Sequence, residues 1–259
     1  MSENSELYDG GHVAFLEKLW GVGYLSPGGA EEVARVLDGL DLTGATVVDI
    51  GCGAGGITAA LARDYGAARV IGLDVEDTVV ATARARAEAE GVADRVEIRR
   101  VSPGPMPVED GSVDVMFSKD SIVHIADKHA LARDVFRALR SGGWFAASDW
   151  LIGHEGPPSP EMAAYIAAED LDFQMAAPTQ YRDALVQAGF VDVALVNRNP
   201  WYREQAKAEF ERLQGPERPE FEALLPDGDL EGQLTTWRAM IGVLESGEHC
   251  PHHLRGRKP

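Results

Sequence analysis

One stretch constrains this chain more than any other. Val47 to Gly56 reads Val-Val-Asp-Ile-Gly-Cys-Gly-Ala-Gly-Gly. An apolar run closed by a G-x-G-x-G-G turn predicts a strand that bends sharply into a helix beneath a ligand. Gly51 and Gly53 lack a Cβ, so the backbone there can take positive φ and approach a bound molecule closely. The helix that follows offers free N–H groups to a ligand carboxylate. Dinucleotide-binding dehydrogenases place a similar loop after their first strand. Here Asp49 stands two residues before the turn. An acid in that place suits an amino-acid ammonium and opposes a pyrophosphate.

The turn opens a βα series. Strands are expected over 45–50, 69–73, 96–101, 113–118 and 144–148. Helices are expected between them, over 57–65, 76–90 and 127–139, the last stopped by Gly142-Gly143. Helices over 161–170 and 179–188, a strand over 191–196 and a last strand within 252–259 complete the pattern. Strands alternating with helices predict an α/β, doubly wound, mostly parallel seven-stranded sheet with right-handed crossovers. Residues 1–40 are expected to form an N-terminal helical lid, 41–199 the cofactor-binding domain, and 200–259 a helical insertion with the last strand. Asp74 ends the second strand, where a carboxylate accepts hydrogen bonds from vicinal ribose hydroxyls. Both acids thus fall at the carboxyl edge of adjacent strands, where such sheets bind ligands.

The 259 residues suffice for one α/β core, and the net charge of −18 disfavours nucleic acid and anionic membranes as partners. Cys52 and Cys250 make no disulfide framework. The N-terminal residues carry no apolar leader, and no apolar run reaches spanning length, so a cytoplasmic location is expected. His249, Cys250, His252 and His253 cluster near the end, too close in sequence to close a tetrahedral site, and no metal is expected.

Three further segments narrow the reading: Gly-Tyr-Leu-Ser-Pro-Gly-Gly from Gly23, Phe-Ser-Lys-Asp-Ser-Ile-Val-His-Ile from Phe117, and Ser148-Asp149-Trp150. With the glycine turn they resemble the class I S-adenosylmethionine-dependent methyltransferases, and within them the phosphoethanolamine/phosphocholine-type N-methyltransferases. The resemblance runs from about Tyr8 to Asn197. It implies S-adenosyl-L-methionine as cofactor, a small-molecule methyl acceptor, and a catalytic pair formed by Tyr8 and His124. It places Asp120 near the acceptor amine and Ser26, with Tyr24, Gly28 and Gly29, in the loop beside the cofactor carboxylate. Together with Asp49, Gly51, Gly53 and Asp74, Ser102 and Ser118 are expected on the cofactor side. His124 follows the fourth strand at the same edge as the glycine turn, and an imidazole there can take a proton near neutral pH.

The chain also departs from that family. The phospho-substrate enzymes hold phosphate with a tyrosine after the fifth-strand aspartate and with an arginine and a tyrosine in the next helix. Those positions here read Trp150, Glu169 and Leu171. An anion in place of a phosphate-binding cation disfavours a phosphate. After the third strand, Val101-Ser102-Pro103 stands where the family has an acid for the adenine amino group, and Ser102 can still accept a hydrogen bond. The expectation is N-methylation of an amine lacking a phosphate, with Asp120, Trp150 and Glu169 lining the acceptor side. C- or O-methylation of a specialised metabolite, with Glu169 or His124 as base, is the alternative. A non-catalytic cofactor-binding subunit is a third reading, and an oligomer is compatible with all three.

Overall fold

The computed structural model describes residues 10–225 and 229–259. Tyr8 lies outside the described residues. A seven-stranded sheet carries the fold in the order β3-β2-β1-β4-β5-β7-β6. Its strands are β1 (Thr46–Ile50), β2 (Arg69–Asp74), β3 (Val96–Arg100), β4 (Val113–Lys119), β5 (Leu139–Asp149), β6 (Val191–Asn197) and β7 (His252–Arg257). β7 runs antiparallel to both neighbours, and the pairings from β3 to β5 are parallel. Val47 and Val48 point to opposite faces of β1, and both are fully buried. A strand covered on both faces needs such a continuous apolar run, which explains why β1 shows no polar alternation.

One face is covered by α2 (Gly29–Val36), α3 (Gly56–Arg63) and α4 (Asp77–Ala89), whose Val33, Leu61 and Val80 pack with Val47 and Phe117. The other is covered by α5 (Lys128–Ala138) and α7 (Pro178–Ala188), whose Val135 and Leu185 pack with Val48, Met116 and Phe145. The chain leaves β1 toward β2 on one side, while β4 pairs on the other. That reversal opens a crevice at the carboxyl ends of β1 and β4.

A third cluster forms a cap over this edge. It joins α1 (Gly10–Trp20), α6 (Pro160–Glu169), α8 (Asn199–Gln214), α9 (Arg218–Glu222) and α10 (Leu230–Ser246) through Phe15, Tyr165, Leu213, Phe221 and Trp237. The cap therefore draws on both ends of the chain and on α6. α2, expected within the lid, instead packs on the sheet.

The start of the fifth strand differs most from the sequence reading. β5 starts at Leu139, five residues before the expected strand, because Leu139 already pairs with Val113. Gly142 and Gly143 lie inside that strand and exchange backbone hydrogen bonds with Lys258, 2.8 and 2.9 Å long. Among the described residues no helix is long and apolar enough to cross a membrane.

Candidate active site

The crevice holds a cavity of about 980 Å³ lined by the glycine turn, Asp74, the loop after β3, and residues 119–121 and 124–127. Gly51 shows why its position excludes a side chain. Its φ is +72°, and an added Cβ would lie 1.6 Å from the Ser121 Oγ. The turn is also pinned from below, since the N–H groups of Gly51 and Cys52 both donate to the Leu73 carbonyl. Asp74 accepts from Gly53 N–H at 2.8 Å and from Glu76 N–H at 3.1 Å. Burial pushes its carboxyl up, and those two donors pull it back. A carboxylate held by its backbone side and facing a cavity can still accept from a diol.

Asp49 sits one layer deeper. It is fully buried, accepts from Thr58 Oγ1 at 2.7 Å, and is absent from the cavity wall. Burial raises its pKa to about 7. Its geometry braces the turn against α3. Ser26 and Ser102 line the cavity, whereas Ser118 and Tyr24 do not. Ser118 is buried and donates to the Ile50 carbonyl at 2.8 Å. Tyr24 turns away toward Tyr65 and Arg63, while Gly23, Leu25 and Ser26 face inward. The loop that carries them is tied to the domain. Glu17 accepts from Gly23 N–H at 2.8 Å and also from Arg86.

His124 closes a 3₁₀ turn, Ile122–His124, directly after β4. Its ring lines the cavity and lies 5.5 Å, centroid to centroid, from Phe173. Burial lowers its pKa below the ordinary histidine value, so the imidazole is neutral at pH 7 and can accept a proton. The turn is fixed by residues that sequence reasoning missed. Lys128 Nζ donates to the carbonyls of Ile122 and Ile125, at 2.8 and 2.6 Å, and reaches that of Val123 at 3.4 Å. Asp149 accepts from Val123 N–H at 2.9 Å and from the Tyr181 hydroxyl.

Asp120 was expected near an acceptor amine, but its carboxylate is already engaged. It accepts from Lys119 Nζ at 2.6 Å, Ser148 Oγ at 2.8 Å and the Tyr202 hydroxyl at 3.1 Å, and its side chain is 1% exposed. Lys119 also donates to Ser26 Oγ at 2.7 Å and to the Pro27 carbonyl at 2.9 Å. Asp120 thus joins β4, β5, α8 and the Ser26 loop. Its φ of +53° is unusual for a residue with a Cβ, and these partners hold it there.

Comparison with known proteins decides what this crevice belongs to. Residues 47–143 match the family described as a methyltransferase domain. A phosphoethanolamine N-methyltransferase of Triticum aestivum is 33% identical over 90% of this chain and 45% of its own length. Phosphoethanolamine N-methyltransferase 2 of Caenorhabditis elegans is 28% identical over 94% of this chain and 55% of its own. A solved Haemonchus contortus phosphoethanolamine N-methyltransferase 2, in complex with phosphomonomethylethanolamine and S-adenosylhomocysteine, superposes with a TM-score of 0.87 at 26% identity. That superposition covers 95% of this chain and 57% of the other. The chain carries a class I S-adenosylmethionine-dependent methyltransferase domain. It spans about half the length of the curated relatives it matches.

The methyltransferase crevice fits that cofactor. A glycine turn with no room for a side chain, a ribose-suited Asp74 and the Ser26 loop surround one cavity. At its outer end, α5 clamps the loop after β3. Asp134 accepts from Met106 N–H at 2.6 Å, and Arg137 donates to the Val108 carbonyl at 2.6 Å. Beyond His124 the crevice has an aromatic wall. Trp150 packs edge-on to Phe173, 5.3 Å between centroids, and the Trp150 indole N–H is buried without a partner among the described residues. Glu169 ends α6, and burial raises its pKa to about 7. Leu171 and Asp172 lie on the cavity wall, whereas Glu169 and Trp150, expected on the acceptor side, do not. Of the C-terminal histidines, His253 donates to the buried Glu32, and His249 lies against the aromatic wall. Among the described residues no group of three or more His, Cys, Asp or Glu is placed to hold a metal.

Proposed function

We propose that this chain transfers a methyl group to the nitrogen of a small amine that carries no phosphate, with His124 as the proton acceptor. Bound S-adenosylmethionine supplies a sulfonium methyl: the amine lone pair forms the N–C bond, the C–S pair returns to sulfur, and the ammonium proton passes to His124. The chain's own part is positional. Asp74 and the glycine turn hold the nucleoside end, and Ser26, oriented by Lys119, serves the amino-acid end. Lys128 and Asp149 aim the imidazole. Tyr8 is assigned as the partner of His124 on the resemblance alone.

Glu169 is the observation that carries the acceptor assignment. The relatives are named for a phosphorylated amine, yet at the position where the resemblance implies a phosphate-binding arginine this chain has a carboxyl. A dianion beside it would raise its pKa further or be repelled. A neutral or cationic acceptor avoids that conflict. Methylation of a panel of acceptors, read by mass spectrometry, tests the proposal. Unphosphorylated amines should be methylated with higher kcat/KM than phosphoethanolamine, and the reverse order would overturn it. The pKa of about 7 at Glu169 favours a second reading, in which this carboxyl serves as base for C- or O-methylation. Methylated carbon or phenolic oxygen in the same panel would select it.

A further inference from the structure

Three carboxylates around the His124 turn are already engaged. Asp74 is held by the N–H groups of Gly53 and Glu76 and suits the ribose. Asp120 is paired with Lys119, 2.6 Å away. Asp149 is fully buried, accepts from Val123 N–H and faces the charge of Lys128. Asp172 differs. It lines the cavity with Leu171 and is exposed. Its carboxylate accepts from Gln174 Nε2 at 3.0 Å and makes no ion pair with a lysine or arginine among the described residues.

The loop that carries it, residues 170–177 between α6 and α7, is built against the His124 turn. Gln174 N–H donates to the Val123 carbonyl at 3.0 Å. Phe173 lays its ring against that of His124, 5.5 Å between centroids. Asp170 and Asp172 both take the left-handed conformation, at φ +52° and +48°. Aspartate is one of the few residues with a Cβ that visits that region readily, and the two bend the chain on either side of Leu171. Burial lowers the pKa of the His124 ring, and the backbone of Leu171 and Asp172 works the other way, by accepting from it. The charges that bear on His124 come from three elements. Lys128 of α5 opposes the imidazolium, the Asp172 carboxylate favours it, and Asp74 at the end of β2 feels the ring in turn. With a cofactor ribose on Asp74, Asp172 is the carboxylate left to balance Lys128. A base that takes a proton during the reaction gains from a fixed negative charge that serves no other cation.

We propose that Asp172 is a positioning residue for proton transfer: as the acceptor's proton moves from nitrogen to a ring nitrogen of His124, the Asp172 carboxylate steadies the imidazolium that forms, and the Leu171 backbone holds the ring in place. The inference rests on the reading of His124 as proton acceptor above and adds the group that answers its charge.

The test uses the full chain saturated with S-adenosylhomocysteine and needs no acceptor. The His124 imidazole is titrated by NMR, its signal assigned by its loss in His124→Gln. Asp172→Asn removes the charge and keeps a residue that tolerates the left-handed backbone, and Asp172→Lys reverses the charge. Losing a carboxylate disfavours the imidazolium, so the midpoint should fall from the wild type to Asp172→Asn and again to Asp172→Lys. Because Asp172 is exposed, the gap between the wild type and Asp172→Asn should shrink by about half or more between about 0.01 M and about 1 M salt. Equal midpoints in the three proteins, a midpoint that rises in Asp172→Asn, or a gap indifferent to salt would each overturn the proposal. The acid limb of kcat, taken with the amine of highest kcat/KM in the panel above, should move to lower pH with the midpoint. A midpoint that moves beside a limb that stays would uphold the contact and sink His124 as the base.

Discussion

Lys128 is a side chain whose loss should separate the architecture of the His124 turn from cofactor binding. Only 6% of it is exposed, and its ammonium spends its donors on backbone carbonyls of the turn. In Lys128→Met the stem is conserved and the donors vanish. The contacts at 2.8 and 2.6 Å then leave two carbonyls short of a partner, at about 1–3 kcal/mol each. The contact at 3.4 Å is too long to count. Against this stands the relief of not burying a charge, which burial already disfavours in Lys128, with Asp149 partly restoring it. A net destabilisation of about 2–4 kcal/mol follows, or roughly 4–16 °C in Tm for a chain of this size. Thermal melts give the first reading, and turnover beside S-adenosylhomocysteine titration gives the second. Because the turn carries His124 and not the glycine loop, kcat should fall at least tenfold while cofactor affinity stays within threefold. Unchanged Tm and kcat would refute the idea that this lysine sets the base. Equal losses in kcat and cofactor affinity would show that it supports the whole crevice instead.

Three other outcomes follow from the same geometry. Asp74→Ala should weaken S-adenosylhomocysteine by about 10–100-fold in calorimetry, one or two charged hydrogen bonds at about 1.5 kcal/mol each, and unchanged affinity would remove it from the ribose. His124→Ala should cost about 10²–10⁴-fold in kcat. The wild-type acid limb should lie below the ordinary histidine pKa of 6.5, because burial lowers His124 and activity is lost only as pH falls through that lowered value. A limb above pH 7 would point to another group. Glu169→Arg should improve binding of phosphoethanolamine and reduce turnover of the native acceptor, a trade visible in paired titrations, and a variant that gains neither would separate Glu169 from acceptor choice.

What could be read from the sequence was local. The glycine turn, Asp74 and the alternating strands each announce themselves within a short window, and they position the cofactor edge without further help. His124 was found by its motif, and its proximity to the cavity follows from β4 ending just before it. Tyr24 shows where motif matching stops. It belongs to the right loop, but the backbone at Gly23 and Leu25 sends its neighbours inward and its own ring toward Tyr65. Asp120 shows the same limit for chemistry. A free carboxylate near an amine is a fair reading of the motif, yet Tyr202, 82 residues away, and Ser148 already occupy it. The contacts of His249 with Trp150 and Tyr165 were invisible for a like reason, since nothing in their spacing indicates that the three rings meet.

The cap's construction bears on the order in which this chain becomes competent. β1, β2 and β3 each pair with the next strand in sequence, so closing those loops is inexpensive and the glycine turn and Asp74 can assemble early. The cap is different: Phe15 of α1 packs on Phe221 of α9 and on Trp237 of α10, across nearly the whole chain. Those loops are the longest to close and are therefore expected to close late. A growing chain on the ribosome would have a nearly complete cofactor sheet long before α10 and β7 emerged. Its acceptor side would still be open to water, and it could bind the methyl donor before it could use it. Completing the cap would then be the step that turns a binder of the donor into a catalyst.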